Sequence, residues 1–219
     1  MIVTIDGPAA AGKGTLAANL AKKYGLSHFD TGMVYRAVGL EMFLLGLDVN
    51  NEEEAARIAQ NLTFSKMMEL SKHPEFRGVN GGNNASIVSA HPKVRAALLK
   101  MQQDFSYNPT FADGSKAQGA VYDGRDTGTV VCPHANIKFF ITARPEVRAN
   151  RRYKEFLAKG IDTTFEIVAT DMAERDKRDS ERATAPLKPA DDAIFLDTSD
   201  LTIEQVFVKT AEYIDSKRQ

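Results

Sequence analysis

The sequence feature that most constrains the fold of this chain is a glycine-rich run directly after an apolar segment, Ile2–Ile5. The run consists of Gly7, Pro8, Ala9, Ala10, Ala11, Gly12, Lys13, Gly14 and Thr15. A strand followed by such a turn points backbone N–H groups at a polyphosphate, and the next helix adds the positive end of its dipole. Apolar residues recur at helical spacing from Leu16 to Tyr24. The sequence therefore predicts a P-loop that binds nucleotide phosphates, with Lys13 at the β and γ oxygens.

One position of this run differs from the usual P-loop pattern. Gly14 follows the lysine, where a Ser or Thr hydroxyl usually binds Mg²⁺, and Thr15 comes one residue later. Mg²⁺ binds phosphate oxygens readily and keeps several of its waters. We therefore expect Mg²⁺ to be held mostly by phosphate and water, with Thr15 and Asp123 as candidate ligands that act through water.

Length and composition are those of an ordinary globular protein. The 219 residues suffice for one α/β core with inserts, so we expect 1–219 to be one domain and a monomer. A formal net charge of −1 argues against a broad nucleic-acid-binding surface. Cys132 is the only cysteine, which excludes an intrachain disulfide. With no leader pattern and no long apolar run, the sequence predicts a cytoplasmic protein that binds neither membrane nor nucleic acid.

Strand-like segments alternate with helical ones along the chain. The predicted strands are 2–6, 28–30, 120–123, 137–142 and 193–197. The predicted helices are 13–24, 32–45, 52–62, 92–105, 145–159, 165–178 and 203–217. Apolar runs flanked by helices are typical of a parallel sheet covered on both faces, so the predicted fold class is α/β.

Two regions depart from this alternation. The polar stretch 61–89 contains the glycine and asparagine cluster 80–84, which predicts loops or a small irregular insert. The charged stretch 144–185 places many arginines on two helices joined around Gly160, which predicts a hinged cover over the site. For any single arginine there, an ion pair on a solvated helix is the better interpretation.

Polar residues follow two of the predicted strands. Asp123 and Arg125 come directly after Ala120–Tyr122, so they would lie at the edge where doubly wound sheets bind ligands. Arg125 would neutralise a phosphate there, although both residues could simply stabilise a turn. Thr31 precedes a helix and would cap it or bind an anion, with Arg36 facing a second phosphate. The four histidines are scattered and predict no chemistry.

These residues together resemble the bacterial-type cytidylate kinases of the P-loop nucleoside monophosphate kinase family. The matching motifs are Ile5–Thr15, Asp30-Thr31-Gly32 with Tyr35-Arg36, Pro92–Arg95, Asp123–Asp126 with Gly128–Val131, and Arg182-Ala183 with Ala185–Leu187. They span nearly the whole chain. The combination is far more specific than the P-loop, which many unrelated NTPases share.

The resemblance implies a three-layer P-loop kinase fold with a mainly parallel central sheet. It also implies an acceptor-binding insert at about 31–107 and a helical lid at about 144–185. The implied reaction is transfer of the γ-phosphoryl group of ATP to CMP or dCMP, giving ADP and CDP or dCDP, with Mg²⁺ as cofactor.

The resemblance also implies roles for individual residues. Lys13, Arg125, Arg151 and Arg152 would be catalytic, and the run Gly7–Thr15 would bind ATP. The residues that would bind CMP are Thr31, Arg36, Ser86, Arg95, Arg125, Asp126, Arg175, Asp179 and Arg182. Within this set, Ser86, Arg95 and Asp126 would contact the cytosine.

Two segments beside the acceptor site depart from the family pattern. The stretch 63–84 is shorter and more polar than usual, and 107–119 is longer. A kinase for UMP or another small acceptor is therefore the main alternative. A P-loop switch that controls a partner protein is the alternative from another class, and the many arginines near a second phosphate site argue against it.

Overall fold

The computed structural model describes residues 1–218. Within them, parallel strands form one sheet in the order β2-β3-β1-β4-β5. The strands are β1 Ile2–Asp6, β2 Ser27–Asp30, β3 Ala120–Gly124, β4 Ile137–Thr142 and β5 Ile194–Asp197. Because β1 lies between β3 and β4, the chain leaves β1 where the strand order reverses, which is where such sheets bind ligands.

Helices cover both faces of the sheet. They are α1 Lys13–Tyr24, α2 Gly32–Leu44, α3 Glu52–Asn61, α4 Phe64–Leu70, α5 Val79–Val88, α6 Pro92–Tyr107, α7 Pro145–Ala158, α8 Phe165–Glu181 and α9 Ile203–Lys217. A 3₁₀ turn spans Pro74–Arg77, and a π-helical turn spans Thr127–Val131. Among the described residues, none of these helices has the length and apolarity needed to cross a membrane.

The three layers follow from the alternation of side chains along buried strands. Ile5 of β1 belongs to a core that includes Leu20 of α1 and Ile214 of α9. Tyr122 of β3 belongs to a second core that includes Leu98 of α6. The predicted α/β class and parallel sheet are therefore confirmed. The bounds of β1, β4, α1 and α9 are as predicted, and the other predicted elements differ by one to three residues at one end.

The prediction was wrong for 61–89, which is mainly helical. It contains α4, the 3₁₀ turn and α5, and the glycine and asparagine cluster 80–84 lies inside α5. A Cβ on Gly81 would come within 2.6 Å of the Phe76 carbonyl oxygen. A Cβ on Gly39 of α2 would come within 2.9 Å of the Asn84 Cβ in α5. These glycines therefore allow close helix packing and do not form turns.

The segment predicted to be a lid consists of α7, α8 and the loop between them, where Gly160 has a φ of +70°. The two helices pack together through a small apolar cluster formed by Ala149, Phe156, Val168 and Met172. Ala9 and Ala10 of the P-loop pack against this cluster. The segment therefore contacts the P-loop directly.

Candidate active site

The P-loop takes its shape from residues with a positive φ. Gly7 has a φ of +149°, Ala10 of +56° and Gly12 of +94°. A Cβ on Gly7 would collide with the carbonyl oxygen of Ile141 in β4. Gly12 directly precedes α1, so the loop delivers the unpaired N–H groups of a helix start to the carboxyl end of β1. Such a helix start binds anions.

Lys13 is buried at the start of α1, and its Nζ donates a hydrogen bond to the Pro8 carbonyl oxygen at 2.7 Å. Burial lowers the pKa of Lys13 well below its usual value, and the positive charges of Arg125 and Arg175 add to this effect. Asp123 acts in the opposite direction. An anion at this position would relieve the repulsion among the cations, which fits a phosphate site.

Asp123 lies at the end of β3 and faces the P-loop. Its Oδ2 is 3.5 Å from the position that a Cβ on Gly14 would occupy. Thr15, the other candidate Mg²⁺ ligand, is exposed at the start of α1. No group of three or more His, Cys, Asp or Glu side chains in the described part of the chain could hold a metal ion. Oxygen atoms of Asp123 and Thr15 fit Mg²⁺ only as a minority of its ligands, with water and phosphate supplying the rest.

The P-loop forms one wall of a cavity of about 330 Å³. Its cationic lining residues are Lys13, Arg36, Arg125, Arg152, Arg175 and Arg178. Asp123 and Asp30 line it from the sheet, and Asn80 and Asn83 line it from α5. Only Lys13 of these cations belongs to the P-loop, and the others are arginines from elsewhere in the chain. The cavity therefore suits more than one phosphate group.

The arginines are held close together at an electrostatic cost. Asp179 accepts a hydrogen bond from Arg125 Nε at 2.8 Å and lies 3.9 Å from Arg175 Nε. Burial lowers the pKa of Arg175 to about 9, and the positive charge of Arg125 contributes. The Nε atoms of Arg36 and Arg175 are buried without a hydrogen-bond partner. Such unpartnered donors indicate a site for an anionic ligand.

A smaller cavity of about 50 Å³ adjoins the first and shares Gly32, Arg36, Gly124, Arg125 and Arg175 with it. Its other lining residues include Thr31, Tyr35, Arg95, Asp126, Asp179 and Arg182. Here Arg95 Nη2 donates a hydrogen bond to Asp126 Oδ2 in a buried pair. Arg182 Nη2 lies 3.6 Å from Asp126 Oδ1. A buried carboxylate beside two guanidinium groups is suited to hydrogen-bonding a polar ring.

Every residue predicted to bind CMP lines one of these two cavities except Ser86, judged from the described residues. Ser86 is buried in α5, where its Oγ accepts a hydrogen bond from Arg178 Nη1 at 2.6 Å. Its neighbours Ala85 and Ser89 line the smaller cavity. Ser86 thus links α5 to α8 beside the site, and its contact with a base stays a prediction.

The arginines of α7 fall into two groups. Arg152 lines the larger cavity, with its guanidinium over the Phe156 ring at 4.3 Å. Arg151 lines neither cavity, and its Nη2 donates to the Thr198 carbonyl oxygen at 2.7 Å. Arg148 is buried and pairs with Asp176 at 2.7 Å. The structure therefore brings Arg152 to the cavity, whereas Arg151 contacts Thr198, whose Oγ1 donates to the Ala11 carbonyl oxygen of the P-loop.

Sequence reasoning missed two residues next to the site. Asp6 ends β1, and its carboxylate accepts hydrogen bonds from Thr127 N, Thr127 Oγ1 and Gly128 N at 2.7 to 2.8 Å. His28 Nε2 lies 2.7 Å from Asp123 Oδ1. Burial lowers the pKa of His28, but the hydrogen bond and charge of Asp123 outweigh it and raise this pKa overall. No sequence signal pointed to the His28–Asp123 contact, because it depends on the register of β2 against β3.

A parallel sheet with a P-loop at its switch point, followed by a cation-lined cavity, defines a P-loop kinase. A family model described as cytidylate kinase matches residues 3–216. The cytidylate kinase of Xanthobacter autotrophicus is 46% identical over 219 residues, covering 100% of this chain and 99% of its own. That of Paramagnetospirillum magneticum is 48% identical over 217 residues, covering 99% of each chain. The chain belongs to the cytidylate kinase family.

The fold is also found in a distant solved structure. The crystal structure of an uncharacterized protein from Eubacterium ventriosum aligns with a TM-score of 0.51 at 15% identity. The alignment covers 99% of this chain and 98% of that one. At this identity the likeness concerns the fold alone.

Proposed function

We propose that the protein transfers the γ-phosphoryl group of ATP to CMP or dCMP, giving ADP and CDP or dCDP. One observation carries the proposal beyond family membership. The two adjoining cavities have Lys13 and the P-loop at one end and the Arg95–Asp126 pair at the other. The arginines Arg36, Arg125 and Arg175 line both cavities. Two nucleotides that meet at their phosphates fit this arrangement.

The chain's contribution to the reaction is positioning and electrostatic stabilisation. Lys13 would bind the donor phosphates from the P-loop, and Arg125, Arg152 and Arg175 would bind the group in transfer and the acceptor phosphate. Once both nucleotides are bound, these charges would be held in place, so they would stabilise the spread of negative charge in the transition state without further reorganisation. No covalent intermediate on the protein is needed.

Mg²⁺ is the cofactor that fits this site. Thr15 and Asp123 would hold it, mainly through water, beside the donor phosphates. When bound, Mg²⁺ neutralises charge on the phosphate oxygens.

The acceptor base would be read by the buried Arg95–Asp126 pair. Cytosine presents an exocyclic amino donor beside a ring nitrogen acceptor. The Asp126 carboxylate would accept from the amino group, and Arg95 would donate to the ring nitrogen. Uracil has a carbonyl oxygen in place of the amino group and an N–H in place of the ring acceptor. The Asp126 carboxylate would then face an acceptor and Arg95 would face a donor, so neither hydrogen bond would form.

We further propose that the protein acts as a monomer in the cytoplasm, with nucleotides as its partners. Its near-neutral charge does not favour binding of nucleic acid. Light scattering of the purified protein would test the monomer.

Burial raises the pKa of the Cys132 thiol to about 11, so that thiol stays protonated at neutral pH.

An acceptor panel tests the proposed reaction. ADP release is measured with ATP and Mg²⁺ against CMP, dCMP, UMP, AMP and buffer alone. Fast release with CMP or dCMP and little with UMP is the expected result. UMP as the best acceptor would favour the alternative acceptor, and equal release in every lane would contradict a kinase.

A further inference from the structure

The carboxylate of Asp123 is contacted on two sides by different parts of the fold. Its Oδ1 lies 2.7 Å from His28 Nε2, and because a carboxylate only accepts hydrogen bonds, this ring nitrogen must donate. Its Oδ2 faces the P-loop, 3.5 Å from the position of a Cβ on Gly14. The bond to His28 thus occupies one oxygen and leaves the other directed at the P-loop.

The backbone of Asp123 is fixed independently of His28. Its carbonyl oxygen accepts hydrogen bonds from Thr31 N at 3.0 Å and Thr31 Oγ1 at 2.9 Å. The strand pairing of β2 with β3 places Asp30 opposite Asp123 and His28 opposite Val121. The backbone is therefore set by the sheet and Thr31. Rotation of the carboxylate about its side-chain bonds remains, and the imidazole is the group that restrains it.

We propose that His28 is a positioning residue that holds the Asp123 carboxylate so that Oδ2 faces the P-loop and organises the water shell of the Mg²⁺ bound with ATP. The proposal rests on the proposed function, because it takes ATP and Mg²⁺ as the ligands of this P-loop. It assigns a role to a histidine that lies outside the lining of both cavities in the described residues.

A purely structural role predicts a different outcome for loss of this contact. The His28 side chain is 28% exposed and that of Asp123 is 11% exposed. A partly exposed pair of this kind contributes little to folding stability. Replacing His28 should therefore leave the fold intact and change the orientation of Asp123. Groups that hydrogen-bond to metal ligands typically change metal affinity about 10- to 100-fold when they are removed.

Two variants of His28 and one control separate these roles. His28→Leu removes the donor at similar volume, and His28→Gln restores an N–H donor at the end of a flexible chain. His91→Leu is the matched control, because His91 Nε2 also contacts one acceptor, the Val49 carbonyl oxygen at 2.9 Å, away from both cavities. Two quantities are measured for each protein. They are the Mg²⁺ concentration for half-maximal turnover at saturating ATP and CMP, and the Mn²⁺ affinity of the ADP complex by electron paramagnetic resonance.

For His28→Leu we expect the Mg²⁺ requirement to rise about tenfold, with Mn²⁺ affinity falling in parallel and the thermal unfolding midpoint nearly unchanged. His28→Gln should recover most of both losses, and His91→Leu should match the wild type. Unchanged metal dependence in His28→Leu would overturn the proposal, as would equal losses in the Leu and Gln variants. A wild type that binds Mn²⁺–ADP but phosphorylates no nucleoside monophosphate would instead refute the proposed function, and the Mn²⁺ affinities would still test His28.

Discussion

At the scale of single residues, the acceptor end of the site depends on one buried carboxylate. Asp126 accepts a hydrogen bond from Arg95 and lies 3.6 Å from Arg182, so its charge is balanced by two guanidinium groups. The Arg95 guanidinium also lies over the Tyr35 ring at 5.4 Å. These contacts restrict Asp126 to one orientation, which a group that distinguishes two similar bases requires.

Asp126→Asn should narrow the preference for CMP over UMP. In the wild type we expect a preference of about tenfold to a thousandfold in kcat/KM, because UMP would leave buried polar groups opposed or unpaired. An asparagine amide donates to the uracil carbonyl, so the ratio should fall. The measurement is kcat/KM for both acceptors, with the exposed Asp113→Asn as control. A wild type that uses the two acceptors equally would show that this pair does not read the base.

Asp6 should make folding stability depend on pH. Burial raises the pKa of Asp6 from 3.8 to about 6, although the hydrogen bonds from Gly128 and Thr127 oppose the shift. Between these two values the folded protein binds more protons than the unfolded chain, so the free energy of unfolding falls as pH rises from about 4 to about 6. Relative to Asp6→Asn, which stays neutral, the wild type should lose roughly 2 kcal/mol from pH 4 to pH 7.

Urea unfolding of wild type and Asp6→Asn across that pH range measures the difference directly. Other titrating groups are common to both proteins and cancel to first order. A difference in unfolding free energy that stays constant from pH 4 to pH 7 would show that Asp6 has an ordinary pKa in the fold.

At the scale of secondary-structure elements, the amino-acid composition of α5 predicted a loop where the structure has a helix. Its segment 79–88 is rich in glycine and asparagine, which usually indicate turns. Close packing of α5 against α2 and the 3₁₀ turn outweighs that local preference, because only glycine fits where Gly81 meets the Glu75 and Phe76 carbonyl oxygens. The helix then lines the larger cavity through Asn80 and Asn83.

Alanine substitutions at the adjacent positions Gly81 and Gly82 of α5 should have different effects on stability. Gly81→Ala places a Cβ within 2.6 Å of the Phe76 carbonyl oxygen, which should cost about 1 to 3 kcal/mol. A Cβ on Gly82 would meet its nearest neighbour, Arg152 Nη2, only at 3.7 Å. Gly82→Ala should therefore be neutral or stabilise by up to about 1 kcal/mol through helix propensity. Chemical denaturation measures both, and equal destabilisation by the two variants would contradict this account of the packing.

The sequence predicted more of the sheet than of the site. Continuous apolar runs located β1 and β4, and the P-loop pattern located the start of α1. Pairings across the sheet were not predictable, because the contact of His28 with Asp123 depends on the register of β2 against β3. Directions of long side chains were not predictable either. Arg151 and Arg152 are neighbours in the sequence, yet the first contacts Thr198 and the second lines the cavity.

At the scale of the whole molecule, the segment predicted to be a lid is joined to the P-loop by few contacts. Arg148 Nη1 donates to the Ala9 carbonyl oxygen at 3.3 Å, and a small apolar cluster packs on Ala9 and Ala10. The two helices also pack on each other, and the end of α8 is joined to the rest of the site by the pairs Arg178–Ser86, Asp179–Arg125 and Arg182–Asp126. Movement of the two helices as a unit would exchange these contacts for contacts of the same arginines with bound phosphates.

We therefore expect Arg152 and Arg175 to lie farther from the P-loop in the free protein than in a complex with both nucleotides. The reason is that a complete arginine site without acceptor would favour hydrolysis of ATP. Crystal structures of the two states, or distances between spin labels on α8 and on α9, would measure the movement. Superposable positions of α7 and α8 in the two states would contradict it.

The order of strands also has a consequence for synthesis of the chain. β1 is the first strand made, but its partners in the sheet, β3 and β4, begin at Ala120 and Ile137. At roughly 5 to 20 residues per second, the ribosome needs several seconds to supply them. Throughout that interval the apolar segment Ile2–Ile5 lacks its partner strands, so this part of the nascent chain exposes the kind of unpaired strand that chaperones shield.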